Sequence, residues 1–221
     1  MLVSHQKKFI FFKTMKTAGT SVEGYFEKYC VPPNNYALSH HRDEQVSTYG
    51  IVGSRGPKPD AVTFYNHMPA KEIKSQVGEH VFNNYFKFTV VRNTYDKLVS
   101  AFYHFFKHRH PEKFVDEDVS DVHMFRQWLK TGGKIRDSHI YMLDTQEVVD
   151  FYIHYESLHR DIESVCNKLA IEFKPTQLPA FKREFRDRSI PIHAFYDDES
   201  TAIVKQLYQF ELQRFNYSMP K

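Results

Sequence analysis

The chain has 221 residues, enough for one large α/β domain with a real core and short for two. Its hydrophobic fraction of 41% and charged fraction of 26% are those of a soluble globular protein. A net charge of only +3 argues against a general nucleic-acid binder and leaves room for a local basic site. Cys30 and Cys166 stand far apart in no metal or redox motif, so they read as two buried free thiols of a reducing cytosol. No apolar run reaches membrane-spanning length, and MLVSHQKK has no signal-peptide core. The expectation is a cytoplasmic protein without stable membrane insertion.

Phe9–Phe12 is the first predicted strand. It runs through Lys13 into the small-residue loop Lys16-Thr17-Ala18-Gly19-Thr20-Ser21, and residues 20–29 follow as a helix with Val22, Tyr25, Phe26 and Tyr29 on one face. A buried strand, a loop of small residues and a helix start form an anion site: loop amides point outward, the helix N-terminus adds partial positive charge, and a lysine stands beside them. The ordinary alternative is a strand-to-helix turn that binds nothing. Residues 31–60 are rich in Pro, Gly, Asn and Ser and read as a long surface excursion with little regular structure. Ala61–Tyr65 is a short predicted strand leading to Asn66-His67-Met68-Pro69. Pro69 suits a first helical turn, and the helix is expected to stop at Gly78.

Tyr85–Val91 alternates and then runs apolar, as a central buried strand does, and ends in Arg92-Asn93. Thr94 is the expected N-cap of a helix whose Leu98, Ala101, Phe102 and Phe105 share a face. Residues 109–120 read as loop, 121–133 as an amphipathic helix stopped by Gly132-Gly133, and Asp137–Leu143 as another short helix. Val148–Tyr155 reads as a third core strand and Leu158–Leu169 as a helix. Residues 172–197 are irregular and carry the basic residues Lys182, Arg183, Arg186 and Arg188. Asp198–Phe215 closes the chain as one helix. Strands alternating with helices predict an α/β domain, 1–221 as a single unit, with a central, mostly parallel sheet flanked by helices on both faces.

Ligands of open α/β sheets gather at the carboxyl ends of strands. Lys16–Ser21, His67 and Arg92 with Asn93 each follow a predicted strand. The first loop is not a Walker A motif, because Lys16 precedes Gly19 and Gly19 is the loop's one glycine; an apolar run ending in a Walker-B Asp is also missing. Lys16 can still set a point charge against a phosphate or sulfate oxygen while amides from Thr17 to Ser21 wrap the anion. Downstream, Arg92 offers a fork for phosphate, and the hydroxyl of Ser100, eight residues on, can donate to the same group. The ordinary alternative is an Arg paired with a carboxylate and a Ser that merely packs.

KTAGTS after a strand, with VRNTYDKLVSAFYHF downstream, resembles the two nucleotide signatures of the sulfotransferases that use PAPS, 3′-phosphoadenosine 5′-phosphosulfate. HMPAKEI, YFKFTVVRN, the 148–171 segment and FYDDESTAIVKQLYQFELQRFNY extend the likeness to the carbohydrate sulfotransferase branch with heparan-sulfate 2-O-sulfotransferases and bacterial relatives. The resemblance implies that Lys16, Thr17, Ala18, Gly19, Thr20 and Ser21 hold the 5′-phosphosulfate, with Lys13 in support. It implies a P-loop-like three-layer fold, and that Arg92 and Ser100 hold the 3′-phosphate. Thr94 departs from the pattern, which has proline there. His67 matches a position where the branch often places a histidine base, and a histidine titrating near neutral pH suits an acceptor hydroxyl that must lose its proton. Lys16 would also stabilise charge on the leaving oxygen. His40, His41 and His139 are rival bases. Regions 31–60 and 109–135, where the likeness fades, are expected to take the acceptor, a carbohydrate or other hydroxyl-bearing molecule. No metal is expected. The competing readings are a P-loop-type kinase or NTPase and a non-catalytic nucleotide-binding protein.

Overall fold

Every residue of the strand Phe9–Phe12 (β2) is buried, because the strand feeds two cores at once. Phe9 and Phe11 enter one apolar cluster, and Ile10 and Phe12 enter another. The structure, a computed structural model, describes residues 1–56, 62–109, 112, 120–181 and 189–220. The chain forms two compact units, Met1–Val91 with Arg136–Phe181, and Arg92–Ile135 with Lys182–Lys221.

The first unit holds a six-stranded sheet. Its strands are β1 (Leu2–Ser4), β2, β3 (Gln45–Val46), β4 (Gly50–Val52), β5 (Phe86–Val91) and, after a small hairpin of β6 (Met142–Leu143) and β7 (Gln146–Glu147), β8 (Phe151–His154). The order is β3-β4-β1-β2-β5-β8. β2, β5 and β8 are parallel, with Phe12 opposite Thr89 and Val91 opposite His154. β1, β4 and β3 extend the sheet beyond β2 by antiparallel pairing. Helix α1 (Gly19–Phe26) covers one face with Val22, Tyr25 and Phe26; a later helix of the same unit, Leu158–Lys168, adds Ile162, Val165 and Cys166 against Phe9, Phe11, Phe88 and Val90. Helix α2 (Ala70–Asn84) covers the other face with Ala70, Ile73 and Phe82. Each large apolar side chain buried here contributes about 1.5–3 kcal/mol. The α/β class and the helix–sheet–helix layering agree with the expectation. Both cysteines are buried and free.

Local departures have local causes. The expected strand over 61–65 is absent among its described residues: the amides of Thr63 and Phe64 donate to the Glu44 carboxylate, and one isolated bridge joins Tyr65 to Ser54. The excursion 31–60 is less irregular than its composition predicts, since β3 and β4 lie in it. At Gly78, φ 81° breaks α2 without ending it. The expected helix at Asp137–Leu143 is a single tight turn, Ser138–Ile140, followed by β6.

The second unit is helical. It contains α3 (Thr94–Ala101), a π-helical continuation over Phe102–Lys107, and α4 (Asp121–Lys130). With the 158–168 helix counted as α5, it closes with α6 (Asp198–Leu207) and α7 (Gln209–Arg214). Tyr95, Leu98, Phe102, Phe125, Phe195 and Val204 share its core. Asn93, not Thr94, caps α3: its Oδ1 accepts from the Tyr95 amide at 3.1 Å, and Thr94 is buried as the first helical residue. The closing helix breaks at Tyr208, whose hydroxyl is tied to both backbone groups of Ile135.

Candidate active site

Leaving β2, the chain makes a loop that is pinned on two sides. The Thr14 hydroxyl donates to the Val90 carbonyl at the end of β5 and lies 2.9 Å from the Thr17 hydroxyl. The Met15 amide donates to Asp137 Oδ2 at 2.8 Å. Two non-glycine residues, Lys16 (φ 60°) and Ala18 (φ 63°), take left-handed backbone conformations, each at a cost of about 1–2 kcal/mol. Such outliers persist only where the surroundings over-determine them, and they cluster at functional sites. Helix α1 then starts at Gly19. The amides of Ser21 and Val22 bond to the Ala18 carbonyl, and among the described residues no side chain caps the helix start. The first amides and the dipole of α1 are thereby offered to an anion. Gly19 is required by a close approach: a Cβ there would lie 3.0 Å from Lys13 Cγ and 3.2 Å from the Thr14 carbonyl oxygen. Lys16, Ala18 and Thr20 are half-buried, whereas Thr17 and Ser21 are buried. Thr17 keeps its hydroxyl inside the loop, on the Thr14 hydroxyl and carbonyl.

Lys13 turns the other way. It is 2% exposed, and its ammonium lies 2.7 Å from Glu23 Oε2, one turn into α1. Glu23 also meets Arg55 at 2.6 Å, Arg42 at 3.2 Å and the amino group of Met1 at 2.8 Å. Glu27, one turn further, pairs with Arg42. Burial alone would raise the Glu23 carboxyl, but Lys13, the Met1 amine, Arg42 and Arg55 hold it well below its ordinary value. Burial lowers the Lys13 ammonium to about 8 against the pull of Glu23. Both arginines belong to the 31–60 excursion, and Arg55 further donates to the carbonyls of Ser39 and His40. The excursion is therefore clamped to the helix that follows the Lys16–Ser21 loop.

His67 reaches the same place from a turn, with φ 59°. Its Nδ1 lies 2.9 Å from the Lys13 carbonyl oxygen. A carbonyl only accepts, so Nδ1 carries the proton and Nε2 keeps its lone pair. Burial, then the nearby Lys13 charge, lowers the imidazole to about 4, so it is neutral at pH 7. The neighbouring Asn66 Oδ1 is buried without a hydrogen-bond partner among the described residues. Of the rival histidines, His41 and His139 are exposed, and His40 packs on His41 and Phe181.

Arg92 and Ser100 lie in the second unit. The Arg92 Nε and Nη2 both reach Asp96 Oδ2 at 2.8 Å, an i,i+4 pair across the start of α3. Ser100 is half-buried on α3. Lys182, Arg183, Arg186 and Arg188 lie outside the described residues.

The sequence reading overlooked the charges beneath the loop. Glu23 and Glu27 stand four apart on a helix, which is a weak hint of a shared face. Nothing marks Arg42 and Arg55 as their partners. It also overlooked His154, at the end of β8, whose Nδ1 lies 3.1 Å from Asp161 Oδ2; that carboxylate is buried and also accepts from the Ser157 hydroxyl. Among the described residues no group of His, Cys, Asp or Glu could hold a metal ion, and no helix is long and apolar enough to cross a membrane.

Comparison with curated proteins and with solved structures finds no match. A family model does match, and it spans residues 1–218, which takes in the loop Lys16–Ser21, His67, Arg92 and Ser100. That model describes the sulfotransferase family, and the chain belongs to it.

Proposed function

We propose that this sulfotransferase uses PAPS as donor and an acceptor hydroxyl on a carbohydrate. The observation that carries the reading is the loop Lys16–Ser21: a strained, pinned backbone opening into an uncapped helix start, inside a chain of the sulfotransferase family. These residues fit a phosphosulfate, since they offer amides, a helix dipole and the Lys16 ammonium to one anion.

When bound, the donor supplies a sulfuryl group: its S–O bond to the 5′-phosphate breaks, a new S–O bond forms to the acceptor oxygen, and 3′-phosphoadenosine 5′-phosphate leaves. The protein's residues position and neutralise. Lys16, the amides of Thr17, Ala18, Gly19 and Thr20, and the Ser21 hydroxyl hold the 5′-phosphosulfate, and Lys16 meets the charge that grows on the leaving oxygen. Arg92 and Ser100 hold the 3′-phosphate. His67 Nε2 takes the acceptor proton; general-base help of this kind is worth about 10²–10⁴-fold. Lys13 supports the loop from beneath and does not reach the anion, because its ammonium is committed to Glu23. The carboxylate-oriented His154 supports a second reading of the base.

Transfer of radiolabelled sulfate from PAPS to an oligosaccharide panel tests the function, with ATP and GTP as competing donors. Transfer that His67→Gln abolishes and His154→Gln spares is expected. Mg²⁺-dependent ATP or GTP turnover without sulfate transfer would overturn the reading in favour of a kinase or NTPase. Tight binding of 3′-phosphoadenosine 5′-phosphate with no transfer to any acceptor would favour a binding protein. Loss of activity in His154→Gln alone would move the base.

A further inference from the structure

Three features of Lys13 meet at one residue. Its ammonium is buried on Glu23 at 2.7 Å. Its stem lies under Gly19, where a Cβ would approach Cγ to 3.0 Å. Its carbonyl oxygen lies 2.9 Å from His67 Nδ1. One residue therefore packs beneath the first glycine of α1, bonds the helix one turn on, and bonds the candidate base.

We propose that Lys13 is a positioning residue rather than a donor ligand: its carbonyl fixes His67 in the tautomer that leaves Nε2 free, and its buried ammonium adds to burial in opposing a second positive charge there. The inference rests on the reading of His67 as the base. The physical ground is that a full positive charge in a site screened from water opposes a second one nearby. The charged groups that bear on His67 are Lys13, the amino group of Met1 and the opposing carboxylate of Glu23. Glu23 holds the Lys13 ammonium in place with help from Arg42 and Arg55, so the same buried set spans the donor loop, the base and the excursion. An aliphatic residue at position 13 would fill the space under Gly19 and lose the charge. An arginine would keep the charge.

The test reads His67 directly by NMR in the protein without donor, with the ring signals assigned by their loss in His67→Gln. Long-range ¹H–¹⁵N spectra of the unmodified chain should show Nδ1 protonated and Nε2 bare; the reverse tautomer overturns the proposal and needs no variant. The titration midpoint of His67 should rise by about 1 pH unit in Lys13→Met and stay in place in Lys13→Arg. A midpoint that is unmoved in a folded Lys13→Met overturns it. So does a drop of more than about tenfold in affinity for 3′-phosphoadenosine 5′-phosphate in that variant, since it would make Lys13 a ligand. Should Lys13→Met fail to fold, the tautomer of the unmodified chain still decides. These spectra do not depend on sulfate transfer, whereas the activity of His67→Gln does, so the two readings fail separately.

Discussion

His67 donates its Nδ1 proton to the carbonyl oxygen of Lys13 at 2.9 Å, across 54 residues of sequence. The bond holds a histidine that burial keeps neutral, and this has a consequence for stability. The folded imidazole titrates at about 4, below its ordinary value of 6.5. Between those values the unfolded chain binds the proton and the folded chain does not. Stability is therefore fully present above about pH 6.5 and is lost as pH falls toward 4, by on the order of 2–3 kcal/mol. Urea unfolding at pH 7 and pH 4.5 should show this loss in the unmodified chain and a loss smaller by about 2 kcal/mol in His67→Gln. Equal losses would mean that His67 titrates normally.

Glu23 and Glu27 occupy the same face of one helix and should respond unequally to truncation. Glu23 meets three side-chain cations, and Glu27 has its close contact with Arg42 alone, Arg55 standing at 3.8 Å. The two carboxyls are shifted in opposite directions: Glu23 is held well below its ordinary value, whereas burial pushes Glu27 up. Removing Glu23 strands buried cations, a change that typically costs about 3–5 kcal/mol. Glu23→Ala should lower the melting temperature by about 10 °C, and Glu27→Ala by clearly less. A larger loss in Glu27→Ala would show that the carboxylate next to Lys13 is not the centre of the network.

What could be read in the sequence follows from the range of the forces. FIFF declares a buried strand because four apolar residues in a row cannot sit elsewhere, and the 158–168 helix declares itself by its period. His67 was expected to follow a strand, and it does not: the amides of Thr63 and Phe64 that would have built the strand are taken by Glu44, nearly twenty residues earlier. The resemblance implies Lys13 in support of the phosphosulfate loop, and its ammonium turns to Glu23. Its direction was decided by Glu23, Arg42 and Arg55, and pairing among buried charges leaves no periodic trace. Position along the chain was legible; which way a charged side chain turns was not.

Ala18 and Gly19 are adjacent small residues with opposite requirements. Ala18 sits at φ 63°, a conformation that glycine adopts freely. Gly19 has no such backbone need, but a Cβ would press on Lys13 and Thr14. Ala18→Gly should therefore leave stability unchanged or raise it by up to about 1 kcal/mol, because relief of strain outweighs the added freedom of the unfolded chain. Gly19→Ala should open the loop by a few tenths of an ångström and weaken binding of 3′-phosphoadenosine 5′-phosphate about tenfold. Thermal melts and calorimetry on both variants check the pair. Similar binding by the two would show that the loop does not form the anion site.

Arg92 carries the choice between a structural and a functional role most openly. Its guanidinium meets Asp96 through two nitrogens, which is what a purely structural pair would look like. The same contact would also hold the fork in one orientation toward a phosphate. The two roles separate on ligand choice. A charge-assisted bond is worth about 1.5–3 kcal/mol, so Arg92→Ala should weaken binding of 3′-phosphoadenosine 5′-phosphate by about 10- to 100-fold. Adenosine 5′-phosphate, which lacks the 3′-phosphate, should lose almost nothing. Arg92→Lys should fall between, since it keeps the charge and loses the fork. Calorimetry with both nucleotides on each variant gives the answer. An equal loss for the two ligands would assign Arg92 to the helix start alone and move recognition of the 3′-phosphate to other residues.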